Sequence, residues 1–240
     1  MTKAVDLAKT GSLVNSSGQI DLTTGVTGTL PAANGGTGVN TATTDAVING
    51  VTVGKGGGAV ATNTAVGLTA INASATGDNN TGVGAYALRD VTSGVSNTGL
   101  GASALIQNTT GSYSTGIGHQ SLFSNTTGGS HVAIGFQSLR QNTSGIFNNA
   151  LGRESLYSNT TGNYNVGIGS SALYNNTTAS NNTAVGYQAG YSNTTGSSLT
   201  AIGKEALFAN STGVFSTAVG YRAGYANTTG NLNAFGYASL

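Results

Sequence analysis

An aliphatic residue followed by glycine recurs every 17 residues through most of this chain. The glycines are Gly67, Gly84, Gly101, Gly118, Gly135, Gly152, Gly169, Gly186, Gly203 and Gly220, with a last step of 16 to Gly236. A small residue, Ala or Gly, precedes each aliphatic residue, and Ala or Ser stands three places after each glycine. Leu usually follows at the fourth place, replaced by Gly at Gly190 and Gly224. A turn of the type Asn-Thr-Thr-Gly completes the unit. A fixed period without drift means a stacked array in which each unit is one rung.

The period also separates this chain from a disordered one. Its 240 residues include 39 Gly, one Pro, no Cys and no Trp, with 6% charged residues, against about 25% in an ordinary globular domain. Such a composition alone fits low-complexity sequence, but a disordered chain needs no aliphatic residue at every seventeenth place. The net charge of +1 gives no electrostatic case for nucleic acid or an anionic membrane surface. No apolar run is long enough to span a bilayer, and the first residues, MTKAVDLAKTGSLV, lack the apolar core of a signal peptide. Ordinary secretion is therefore not expected if this is the native start. Without cysteine, disulfides and thiolate chemistry are excluded.

Residues 1–60 lie outside the period and read as an attachment or linker segment; residues 61–240 read as the repeat shaft. Two pieces of the first segment, AVDLAKTGSLVNSSGQIDLTTGV and DAVINGVTVGKGGGAV, suit short weak strands. Between them Gly28–Gly38, GTLPAANGGTG, suits a bend or flexible joint. The chain stops at Leu240 four residues into a new unit, with no polar cap, so a continuation or a contacting protein is expected there.

Seventeen residues are too few for two packed helices, and Gly, Thr and Asn disfavour helix. Two strands of about five residues with two turns fit, so the expected class is all-β: a parallel β-roll or β-solenoid, each coil about 4.8 Å above the last. Like residues then stack. Val66, Val83, Leu100, Ile117, Ile134, Leu151, Ile168, Val185, Ile202, Val219 and Phe235 are expected to form one interior row, with the Leu row beside it. The Asn row from Asn108 to Asn227 is expected to form an amide ladder along the turns, and the turn glycine to supply positive φ. Two aliphatic side chains per coil, worth about 1.5–3 kcal/mol each when buried, weigh poorly against roughly 1–2 kcal/mol per ordered residue. Several chains, most plausibly three, are expected to share a core.

NTAVG at Asn63–Gly67 and Asn182–Gly186, STAVG at Ser216–Gly220 and LTAIG at Leu199–Gly203 resemble the head repeats of trimeric autotransporter adhesins. That resemblance implies a left-handed parallel β-roll in which three chains share a core. GTLPAANGGTG at Gly28–Gly38, with NGVTVGKG at Asn49–Gly56, looks like the shaft-entry region of bacteriophage tail fibres, and repeats such as NTAVGYQAGYSNTTG are similar to those of phage fibre proteins. The resemblance covers almost the whole chain. It implies a homotrimeric virion fibre that reaches a host cell and presents a surface for attachment, joined to other virion proteins through residues 1–60. The alternative is a bacterial surface adhesin or extracellular filament. An ice-binding solenoid ranks lower, because the Thr residues fall mainly in turns.

Catalysis finds little support. His119 and His131 are 12 residues apart with no carboxylate cluster, and a metal site needs converging ligands; surface placement is expected for both. Glu154 and Glu205 share a column three coils apart, about 14 Å, beyond the 5–9.5 Å of glycosidase pairs, and each follows a cation in an expected ion pair. GKGGG at Gly54–Gly58 lacks the P-loop spacing and its Ser/Thr. No catalytic group, metal or cofactor is expected, and the chain is not expected to be an enzyme. The aromatic residues gather one or five places after the glycine. Tyr187, Tyr191, Tyr221 and Tyr225 can be read as rings covering the place that Leu vacates at Gly190 and Gly224, or as a stripe that stacks on a host-surface glycan or meets a host protein.

Overall fold

The structure is a computed structural model that describes residues 46–48, 51–56, 60, 62–71 and 74–240. The strands expected before Asp45 and the Gly28–Gly38 joint lie outside the described residues, as do the tail-fibre-like residues of Gly28–Gly38 and Asn49–Gly50. The described chain is a parallel β-solenoid of about ten coils with no helix. Its thirteen strands form one sheet in sequence order. β1 (Ala46–Ile48) and β2 (Val51–Gly54) pair antiparallel, and β2 pairs antiparallel with β3 (Thr64–Val66). The strands on either side of residue 60 therefore belong to one sheet, and the short pair covers the edge of the first coil. From β3 to β13 (Asn233–Phe235) every strand is three residues long and pairs parallel with the next. Thr64, Thr81 and Thr98 stack, as do Val66, Val83 and Leu100, so the period sets the register.

The coil has one three-residue strand rather than two of five. The rest of its circumference turns through residues with positive φ at the second and fourth places after the glycine and five places before it, such as Gln120 (57°), Leu122 (51°) and Tyr113 (59°). Left-handed residues break the pleat and redirect the N–H groups. Those groups still bond between coils: Tyr86 N donates to Leu68 O at 2.8 Å, Leu88 N to Ala104 O at 3.0 Å and Ser96 N to Asp78 O at 3.0 Å. Leu in the left-handed region costs roughly 1–2 kcal/mol, and complete burial of Leu88, Leu105, Leu122, Leu139 and Leu156 offsets it.

The expected interior row is turned inside out. Successive strand residues point to opposite faces, so an Ala or Gly at the middle place and an aliphatic residue at the last cannot both face inward. Ala133, Ala150 and Ala184 are fully buried, whereas Leu100 is 46% exposed and Ile134 38% exposed. Val66, Val83, Ile117, Val185 and Val219 are half-buried, and Leu151, Ile168, Ile202 and Phe235 are exposed. The row is vertical, as expected, but it lies on the outer face of the sheet. Inside, the small residue faces Leu of the preceding coil; a Cβ at Gly116 would lie 3.3 Å from Leu105 Cδ1.

Asparagine fills the remainder of the interior. Asn125 donates to Asn108 Oδ1 at 2.7 Å, and the ladder continues through Asn142, Asn159, Asn176 and Asn193. All six amides are fully buried, inside the coil rather than along its surface. A second buried ladder, unanticipated, stands just before the strands: Asn97 N donates to Asn80 Oδ1 at 3.0 Å, and Asn97 Nδ2 to Gly111 O at 2.8 Å. The first ladder breaks after Asn193, whose Oδ1 is buried without a partner, because Asn210 Oδ1 turns to the Gly213 N–H at 3.1 Å.

The turn glycines are required for a different reason from the one expected. Gly111, Gly128 and Gly145 do not have positive φ. A Cβ on any of them would fall into the carbonyl oxygen of the corresponding glycine one coil on. Positive φ belongs instead to the strand-ending glycines, from 109° at Gly236 to 135° at Gly186.

Candidate functional site

The outer wall divides by charge. After Asp78 every charged residue stands one, two, five or six places after a strand-ending glycine: Arg89, Asp90, Arg140, Arg153, Glu154, Lys204, Glu205 and Arg222. The outward positions of β3 to β13 carry only Thr, Val, Leu, Ile, Asn and Phe. A Thr row thus lies on the strand face itself, at Thr64, Thr81, Thr98 and Thr115 and again at Thr183, Thr200 and Thr217. It is interrupted by Val132, Asn149 and Val166.

On the charged wall the acids are paired. Arg89 holds Asp90 at 2.7 Å, Arg153 meets Glu154 at 3.0 Å, and Glu205 is shared by Arg222 at 2.5 Å and Lys204 at 3.6 Å. The hydrogen bond from Arg222 holds the Glu205 carboxyl below the usual range, and its partner guanidinium is raised in turn. Neighbouring side chains cover Glu205, but Arg222 and Lys204 are exposed, so solvent screens the pairing and its worth is that of a surface bridge.

Aromatic side chains form three columns. Five places after the glycine, Tyr157, Tyr174, Tyr191, Phe208 and Tyr225 stack with centroids 5.0–5.3 Å apart. Arg140 extends this column, its guanidinium 4.9 Å from the Phe123 ring and 5.8 Å from Tyr157. One place after the glycine, His119 stacks on Phe136 at 5.6 Å, and Tyr221 on Tyr237 at 5.1 Å, with Lys204 between Tyr187 and Tyr221. The third column, five places before the glycine, was not legible: Tyr113, Phe147, Tyr164 and Phe215 are exposed there with positive φ, a conformation that bulky residues rarely adopt. The signal was their common offset from the glycine.

The four tyrosines singled out from sequence therefore fall in two columns. Both faces of Tyr191 are covered by Tyr174 and Phe208. Tyr225 lies on Phe208 with Arg222 5.0 Å from its ring, and Tyr221 lies between Lys204 and Tyr237. Tyr187 meets Lys204 on one side, and its neighbour in the preceding coil is only Ser170. None of these rings enters the interior to replace Leu. At Gly190 a Cβ would instead lie 3.0 Å from Leu173.

One of the two histidines, expected on the surface, departs from expectation. His119 belongs to an outer aromatic column, but His131 is buried, 1% exposed, in the second asparagine ladder. Its Nδ1 accepts from Asn148 N at 3.2 Å, and its Nε2 lies 3.2 Å from Asn142 Nδ2, beside the Gly145 backbone. The ring thus reproduces the acceptor of an Asn through Nδ1, and accepting there places the hydrogen of the neutral ring on Nε2. Burial lowers its pKa to about 4. No cluster of three metal-ligating side chains occurs among the described residues, and no described helix is long and apolar enough to cross a membrane.

Comparison with known proteins returned no match: no family model, no curated sequence and no solved structure is similar to this chain.

Proposed function

We propose that this chain is the subunit of a homotrimeric virion fibre of the phage tail-fibre or whisker type, in which the sheet faces of three solenoids meet on a shared axis. The observation that carries the reading is the charge-free aliphatic row on the outside of the sheet, set apart from the columns after each strand-ending glycine that hold all the charges after Asp78. An aliphatic ridge repeated at every rung is costly to leave in water. An identical copy offers the same row at the same rise, so three copies pack rung against rung around one axis. The charged and aromatic wall then faces solvent along a rod of roughly 50 Å. Residues 1–60 join it to other virion proteins, and the outer wall contacts the host surface.

Mass in solution tests the assembly, and Ile134→Lys with Ile168→Lys tests the face. The reading requires a trimer that the double substitution dissociates. A trimer indifferent to both lysines places the contact elsewhere. Antibody labelling of intact particles tests the virion assignment, and label confined to a cell surface favours the adhesin alternative. The strand-face Thr row speaks for an ice-binding role, which thermal hysteresis of the purified protein would reveal.

A further inference from the structure

We propose that a notch over Ser170 and Ser171 binds one neutral hexopyranose ring of a host-surface glycan. This rests on the host-contact role assigned above to the outer wall.

The two columns that follow each strand-ending glycine run side by side along the charged wall. From His119 onward they carry large side chains coil after coil: His119 and Gln120, Phe136 and Gln137, Arg153 and Glu154, Tyr187 and Gln188, Lys204 and Glu205, Tyr221 and Arg222. One coil between them breaks the run with two serines, Ser170 and Ser171. The coils on either side are held in direct succession, since Ser171 N donates to Arg153 O at 2.9 Å and Gln188 N to Ser170 O at 3.0 Å. The side chains across the gap are thus two coil rises apart, about 10 Å. In a wall whose rings stack about one rise apart, the space left is that of one ring.

The walls of the gap suit a sugar. On one side Tyr187, 48% exposed, has no ring or cation over the face toward Ser170, and offers it to the C–H groups of a pyranose. On the other, Arg153 and Glu154 are joined at 3.0 Å, with the Arg153 guanidinium 5.9 Å from the Phe136 ring of the coil beyond, and the pair supplies donors and an acceptor for adjacent hydroxyls. Ser170 and Ser171 are the residues of the gap coil itself, and Gln188 follows Tyr187 in the next coil. Tyr174 is near enough for Glu154 to act on it: burial in its ladder and then that carboxylate raise the phenol pKa. Arg153 and Glu154 cancel each other's charge, which selects a neutral sugar over an anionic one. A few convergent polar groups beside an apolar surface are the usual make-up of a small-ligand site.

The test uses the full chain with methyl glucoside, methyl galactoside and methyl N-acetylglucosaminide as probes, glucuronate as the anionic control and indole as the planar aromatic control, read by saturation-transfer NMR. Ser170→Tyr with Ser171→Gln refills the gap with residues that these columns already carry at the same backbone angles, so the fold is kept and its melting temperature is unchanged or higher. At least one glycoside is expected to bind the parent, with at least tenfold weaker binding in the refilled variant and in Tyr187→Ala. Equal binding by parent and refilled variant overturns the site. Absence of binding by all three glycosides, or binding of glucuronate or indole in their place, overturns the ligand assignment. Solution mass and particle labelling judge the fibre reading independently, since neither depends on the notch.

Discussion

Leu232 fills the space that Gly224 leaves in the interior: a Cβ placed on Gly224 would lie 2.7 Å from Leu232 Cδ2. In this coil the leucine has moved from the fourth place after the glycine to the ladder place before the next strand, where six other coils have Asn. The same exchange in sequence occurs at Gly190 and Leu199, with Leu199 buried in the ladder column, and there Leu173 is nearest to the vacated place. Gly224→Leu and Leu232→Asn should each destabilise the solenoid, and together should restore the common pattern. Thermal unfolding of the four proteins should give a coupling of about 0.5–3 kcal/mol in favour of the double variant. Additive losses would show that the two sites are independent.

The outward row and the inward leucine should respond differently to truncation. Leu139→Ala should cost about 2–5 kcal/mol of stability, as a cavity in a packed interior does. Ile134→Ala should leave the coil's circular dichroism unchanged while weakening the assembly. The contrast is measured by melting alongside light scattering.

Asn159 donates to Asn142 Oδ1 at 2.9 Å and to Gly162 O at 3.1 Å inside the coil. Asn159→Ala should therefore cost about 1–3 kcal/mol by stranding buried polar groups. Asn175→Ala, at a partly exposed place on the wall, should fall within about 0.5 kcal/mol of the parent. Chemical denaturation of both distinguishes an interior ladder from a surface one.

Gly145→Asn separates the two reasons for a turn glycine. Asn tolerates positive φ, so a position needing only that angle would accept it. Because a Cβ here meets the carbonyl of Gly162, the substitution should be as damaging as Gly145→Ala, with both lowering the melting temperature.

His131 makes the solenoid sensitive to acid. Its folded pKa is lowered to about 4 from 6.5, so its contribution is complete above about pH 6.5. As pH falls, the unfolded chain takes the proton first, and stability drops by about 3 kcal/mol by pH 4. The lowered Glu205 carboxyl acts in the same direction at more acidic pH, since its pairing with Arg222 is lost as the carboxyl is protonated. His131→Asn should abolish the loss between pH 6.5 and 4 in melting curves taken across that range.

The register was legible because a period needs no knowledge of direction: stacking of Val66 on Val83 follows from spacing alone. The facing was not, because it depends on where the left-handed residues turn the chain. Leu122 and Gln120 look like ordinary side chains until their φ values are known. The same blindness hid the column of Tyr113 and Phe147 and put His131 on the surface, though it stands where other coils have Asn. Of the four tyrosines read as a glycan stripe, only Tyr187 has a small neighbour beside it in its column. Ser170, which leaves that room, carries no signal until the neighbouring coils are laid against it.

The mass of the folded assembly in dilute solution, by sedimentation equilibrium, tests the shared-axis reading most directly. A species of three times the 23.5 kDa chain, reduced to single chains by Ile134→Lys with Ile168→Lys, is the predicted result. A stable folded species of one chain mass, with the aliphatic row in water, would contradict it.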